Sequence, residues 1–259
     1  MTSSVTNAAR GASDHPLVEK GARLGYASSG VVHLLLGWLA VQLAWGSGKD
    51  ADQSSALEQL AGNPVGAVLL WVVVLGFLLL GIWQIGEAVV ARETTDRVKA
   101  IAKAAGYLAL AVTAFRIASG SGSSDSDKQA SSFTETIMDN PLGQLAVGLG
   151  GLVVIGVGVY HVVKGWKKKF LEDLASNPPH AVELAGQVGY PAKGLALGVL
   201  GILFVLAAVQ HDANKAGGID AALKALLELP LGPVILTIVG LGIAAFGLYC
   251  FGRAKHAKV

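Results

Sequence analysis

Apolar residues gather into six long runs, roughly Leu24 to Trp45, Val65 to Ala88, Ala100 to Ser119, Leu142 to Val163, Ala185 to Val209 and Leu231 to Gly252, with polar stretches between them. At about 1.5 Å of rise per residue, runs of about 20 residues match a hydrocarbon core about 30 Å thick. A segment crossing lipid alone must satisfy its own backbone donors and acceptors, so each run is expected to be a helix. The third is the shortest, because Lys103 and Arg116 interrupt it near its ends, from which both can reach outward.

The runs obey an internal repeat. Gly25-Tyr26 aligns with Gly106-Tyr107 and Gly189-Tyr190, and a Pro-x-Gly step follows each: Pro64-Val65-Gly66, Pro141-Leu142-Gly143 and Pro230-Leu231-Gly232. Nineteen positions beyond each proline stands an aromatic, Trp83, Tyr160 or Tyr249, and four further on a charge, Glu87, Lys164 or Arg253. Landmarks at equal spacing in three copies define three units, 16–92, 93–170 and 171–259, after a disordered tail over 1–15. The fold class is therefore all-α: a polytopic membrane protein of six transmembrane helices in three tandem two-helix repeats with a pseudo-threefold arrangement. Two spans per unit make all three units enter from one side.

The prolines suit the first turn of each even-numbered span, with Asn63 and Asn140 as caps and no capping residue at Leu229. Between the two spans of each unit lies a polar loop, Gly46 to Asp52, Ser119 to Ser132 or His211 to Gly218, then a short segment such as Ala56 to Leu60. Ile219, Leu223, Leu226 and Leu227 recur at helical spacing, which predicts an amphipathic helix lying along the membrane surface. Glycine and serine in the middle loop predict mobility.

Composition agrees: 53% of the chain is hydrophobic and only 15% charged, too little charge to clothe a soluble surface. The formal net charge of +2 is less informative than its placement. Fifteen of the 20 Lys and Arg residues, Lys103 and Lys193 included, fall on the side holding both termini, which predicts that this side is cytoplasmic and the membrane the inner one. Lys167, Lys168 and Lys169 behind Trp166 predict contact with anionic lipid, each lysine contributing about 1 kcal/mol, and nucleic acid is not an expected partner. The first twenty-odd residues are polar and the run behind them is too long for a signal-peptide core, so the first span is expected to direct insertion.

The unit openings Gly25 to Gly30 and Gly189 to Gly194, and the stretch Gly218 to Leu226 before Pro230-Leu231-Gly232, resemble the domain of unknown function 1206 family over nearly the whole chain after Pro16. The resemblance implies six spans and an actinobacterial distribution, and it brings no settled activity. Members usually carry a basic residue just before the second glycine of the opening. Lys193 keeps it, Ser29 replaces it in the first copy, and the middle copy loses the pattern at Leu108 to Ala111.

Candidate chemistry is sparse. The lone cysteine, Cys250, rules out an intrachain disulfide and reads as a packing residue. Of the histidines near spans, His33 lies about 14 Å deep while His161 and His211 sit near opposite ends, so no haem, metal or other cofactor is expected; His33 is read as bonded to a helix neighbour. Gln42, Gln84 and Thr113 are read as residues making local or interhelical hydrogen bonds. Glu87, Lys164 and Arg253 either form a mixed-charge ring or reach headgroup water separately. Gly194 with Gly198, and Ala146 with Gly150, are four apart and predict close helix packing. With no phosphate loop, zinc-type His-Glu spacing or nucleophile elbow, an enzyme is not expected. A scaffold or accessory subunit of a membrane complex, with a membrane-protein partner, is favoured over a small-solute or ion transporter. A dry axis would support the first and a wet cavity reaching His33 or Gln42 the second.

Overall fold

The computed structural model describes residues 16–46, 51, 53–62, 64–91, 93–121 and 126–257. The 1–15 tail, the Asn63 cap and parts of the first and middle loops lie outside the described residues. The helices are α1 (Pro16–Ala44), α2 (Gln53–Ala61), α3 (Pro64–Val90), α4 (Thr94–Ala118), α5 (Ser126–Met138), α6 (Pro141–Trp166), α7 (His180–Gln210), α8 (Ile219–Leu227) and α9 (Gly232–His256). Short 3-10 turns occupy Lys169–Asp173 and Ala213–Lys215. Helices α1, α3, α4, α6, α7 and α9 are long and apolar enough to cross a membrane. Each extends beyond its apolar run, because the helical hydrogen-bond ladder continues into polar turns outside the hydrocarbon.

The spans pack in the order α4, α3, α1, α9, α7, α6. Each even span packs on the odd span of the next repeat, α3 on α4, α6 on α7 and α9 on α1. Within repeats, α1 packs on α3 and α7 on α9, but α4 and α6 make no extended contact. The pseudo-threefold ring is thus open at its middle repeat.

Glycines seven residues apart explain the two tightest interfaces. On α6 and α7, Gly151 and Gly158 oppose Gly201 and Gly194, and a Cβ added at Gly158 would lie 2.6 Å from the Gly194 carbonyl oxygen. On α9 and α1, the repeat-equivalent Gly240 and Gly247 oppose Gly37 and Gly30; a Cβ at Gly37 would lie 2.5 Å from the Gly240 oxygen. In the third interface the same positions read Val74, Gly81, Ala118 and Ala111, so backbone no longer meets backbone and Gly81 faces the Leu108 side chain. Of the small residues expected from sequence, Gly194 faces α6, a Cβ there lying 2.5 Å from the Gly158 oxygen, while Gly198 offers only its backbone to Gly158 and its own Cβ position meets nothing within 4 Å. Ala146 and Gly150 are corrected: both are exposed, and nothing lies within 4 Å of a Cβ built at Gly150.

The Pro-x-Gly step also has a steric cause. A Cβ at Gly66, Gly143 or Gly232 would overlap the carbonyl oxygen of Leu60, Ile137 or Leu227, so glycine lets each short helix end directly on the next span. Asn140 caps α6, its side chain accepting from Gly143 N at 2.8 Å. Pro230 does not open α9 as expected. Leu231 turns left-handed at φ 61°, the helix starts at Gly232, and Pro233 takes the first turn.

Helix α8 is amphipathic, but its apolar face covers protein and not lipid. Leu223 and Leu226 join Leu36, Leu57, Leu70 and Leu236 in one buried core, so α2 and α8 cap the bundle at the end opposite the termini. Asp220 locks that cap, its Oδ1 accepting from Ala51 N at 2.6 Å and its Oδ2 pairing with Lys224 at 2.5 Å. The middle loop likewise departs from expectation: from Ser126 it is helical, with Thr134 buried and Ser131 Oγ donating to Ala216 O at 3.0 Å.

Candidate functional site

Polar and ionisable side chains meet inside the bundle near its terminus-bearing end. Between three and four turns into α1, Ser29 and His33 share a face, as positions four apart do. The His33 Nδ1 lies 2.8 Å from the Ser29 carbonyl oxygen, and only a protonated Nδ1 can donate to it. Nε2 is then an acceptor, and it faces the Lys193 Nζ of α7 at 3.3 Å. The ammonium also lies 4.4 Å from the centroid of Phe246 on α9, whose ring stands 4.8 Å from the imidazole. Cys250, one turn beyond Phe246, places its Sγ 3.8 Å from Ser29 Oγ. Among the described residues no carboxylate pairs with Lys193.

The His33 contact is local to α1, and the placement expected for Lys193 is corrected. The lysine is inside the bundle and does not belong to the basic fringe of the terminus-bearing side. The repeat held the signal: Lys193 occupies the position of Ser29, four residues past the opening glycine, and so faces the same axis.

Toward the helix ends, an aromatic layer of Phe170, Tyr190, Phe246 and Tyr249 closes over the pair, with Tyr249 Oη donating to Phe170 O at 3.3 Å. Beyond it lies an ionic cluster. Lys164 Nζ pairs with Asp173 Oδ2 at 2.7 Å, and an Arg253 guanidinium nitrogen approaches the same oxygen at 3.7 Å. Arg253 further stacks over Tyr26 at 4.3 Å, and Lys164 over Tyr190 at 5.3 Å. Two of the three repeat-equivalent charges therefore meet, on a carboxylate that sequence reasoning missed because the 3-10 turn carrying it has no counterpart in the other repeats.

Glu87, the third, joins no ion pair among the described residues. It lines a cavity of about 330 Å³ with Trp83, Gln84, Lys99, Lys103 and Arg253. A second cavity of about 280 Å³, at the opposite end, is walled by Glu135, Asp139, His211 and Asp212 among others. Neither has His33 or Gln42 in its wall. Gln84 is buried, and Thr113 Oγ1 donates to Ala109 O at 3.1 Å. His161 bonds within its own helix, to Val157 O at 2.8 Å, and His211 is exposed at the end of α7, so the three histidines stand apart. Among the described residues no group of three His, Cys, Asp or Glu side chains could hold a metal ion. Of the lysine cluster, Lys168 pairs with Glu183 at 2.6 Å, while Lys167 and Lys169 are exposed beside Trp166.

Six lipid-length helices in three two-helix repeats, with ionisable groups enclosed between them, define a multi-pass all-α membrane protein. The chain belongs to the family described as Domain of Unknown Function (DUF1206), whose profile matches it three times, over residues 24–91, 98–168 and 188–257. It is similar to "Uncharacterized protein YxxB" of Bacillus subtilis (strain 168), at 28% identity over 254 residues, 93% of this chain and 92% of that protein. No solved structure matches the chain.

Proposed function

We propose that the protein is a non-enzymatic scaffold or accessory subunit of a membrane complex, seated in the cell membrane with its terminus-bearing face in the cytoplasm. The observation that carries this reading is the packed axis. Leu36, Leu39, Leu70, Phe77, Leu236 and Ile243 are all buried in one core that α2 and α8 close from the far end. A solute path would have to cross that core. The faces left to neighbours are those of α4 and α6, with Val112, Phe115, Leu149 and Val153 among their exposed side chains. Lys167 and Lys169 are exposed, which supports their meeting anionic lipid on that face.

A second reading, a small-solute or ion transporter with its site between repeats, is favoured by one feature, the Lys193 and His33 pair on the axis. Ionisable groups at such depth are costly, and they commonly mark ion or proton pathways. One experiment separates the two. Purification from native membranes in mild detergent yields a stoichiometric partner under the scaffold reading, and that partner is lost when Val153→Trp blocks the open face. Absence of any such partner, with solute flux in liposomes containing the protein alone, would replace the scaffold by the transporter.

A further inference from the structure

We propose that the cavity between α3, α4 and α9 is a headgroup site for phosphatidylethanolamine, whose phosphodiester meets Lys103 and Arg253 and whose ammonium meets Glu87. Three observations converge on a ligand that carries both signs of charge. Lys103 pairs with no carboxylate among the described residues, and it lies within electrostatic reach of Arg253, Lys164 and Lys99, whose charges Asp173 and Asp96 offset in part. The Arg253 Nε is buried and has no hydrogen-bond partner, although the guanidinium's other end leans on Asp173 and Tyr26. An unsatisfied buried donor costs about 1–3 kcal/mol, which an anionic oxygen would recover once the Arg253 side chain, part of the cavity wall, turned its Nε toward it. Third, Glu87 stands in the same wall without an ion pair, while Asp96 is already engaged by Lys99 at 3.1 Å.

A purely anionic headgroup would leave Glu87 facing a phosphate. A phosphodiester joined to a primary ammonium satisfies Lys103, Arg253 and Glu87 together. The volume of about 330 Å³ lies at the small end of ligand pockets, which suits a headgroup and not a whole lipid. Its acyl chains have somewhere to go. The cavity opens at the ends of α3 and α4, and α4 is the span whose inner neighbour is missing. Gly106 is exposed with nothing within 4 Å of an added Cβ, and Val153 and Val157 are exposed on α6 of the same repeat. In repeats 1 and 3 the equivalent Gly25 and Gly189 are filled by Leu80 and by the Phe246 backbone. Lipid chains thus occupy the place of the missing helix contact.

The test is native mass spectrometry of the full-length protein, delipidated in detergent and titrated with phosphatidylethanolamine or phosphatidylglycerol of identical chains. The expected result is preferential retention of phosphatidylethanolamine. Lys103→Met lowers retention of both lipids about tenfold, as loss of one charge-assisted contact worth about 1.4 kcal/mol requires. Glu87→Gln lowers retention of phosphatidylethanolamine alone. Glu87 is exposed, so its variant keeps the test valid even where the lysine variant is unstable. Two results would overturn the proposal: equal retention of the two lipids with Glu87→Gln silent, or retention unchanged by both substitutions.

Discussion

The Lys193 ammonium of the third repeat donates to the His33 imidazole of the first, Nζ to Nε2 at 3.3 Å, in the interior of a membrane bundle. The His33 Nδ1 contact with the Ser29 carbonyl at 2.8 Å fixes the tautomer that makes this bond available. A cation is thereby held by an imidazole and an aromatic face, with no carboxylate partner among the described residues.

Such a cation stabilises little in itself. Replacing it by an apolar side chain of similar length, Lys193→Met, is expected to leave the melting temperature in detergent unchanged or to raise it. His33→Leu in the wild-type background is expected to cost about 1–3 kcal/mol, because the ammonium loses its acceptor. In the Lys193→Met background most of that cost should vanish. A double-mutant cycle on thermal unfolding reads the coupling, and equal costs in both backgrounds would refute the pairing.

Asp173 is expected to matter more than Glu87. Asp173→Asn leaves Lys164 and Arg253 without their shared anion and should lower stability by about 1.5–3 kcal/mol, the range for hydrogen bonds to charged groups. Glu87→Gln breaks no ion pair and should leave the melting temperature where it was. Differential scanning fluorimetry of the two variants compares them directly.

The glycine heptads make an equally sharp contrast. Gly158→Leu forces a side chain into the Gly194 carbonyl and the Gly198 backbone, and should cost about 1–3 kcal/mol or prevent folding. Gly150→Leu, about two turns earlier on the exposed side, should be silent. Tryptophan at the three equivalent opening glycines extends the comparison: Gly25→Trp and Gly189→Trp should abolish a monodisperse peak on size-exclusion chromatography, while Gly106→Trp should retain it.

These contrasts mark where the sequence was legible. The apolar runs and the repeat sufficed for six spans, their connections and the capped start of α6 at Asn140, because length in lipid and local capping are properties of adjacent residues. Packing faces were read less well. Gly194 was found, but Ala146 and Gly150 were chosen over Gly151 and Gly158, since a four-residue spacing names a stripe without saying which side meets a neighbour. Extending the alignment to Gly151, Gly240, Gly158 and Gly247 would have named the correct face, because equivalent positions in a repeat share an environment. Lys193 was misplaced because a lysine near a span end normally reaches water, and only the opposing α1 and α9 surfaces show that this one cannot. Asp173 and the open middle repeat left no local trace: the first lies in a connection without a repeat counterpart, and the second is a missing contact between distant helices.

The central claim is that three two-helix repeats enter the bilayer from one side, with the Lys167 region in the cytoplasm and the α8 cap outside. Labelling with a membrane-impermeant maleimide tests it most directly, on single-cysteine variants Lys167→Cys and Lys215→Cys in a Cys250→Ala background. The account predicts that Lys167→Cys reacts only in inside-out vesicles and Lys215→Cys only in intact spheroplasts. Reaction of both positions from the same side, or of Lys167→Cys in intact spheroplasts, would contradict it.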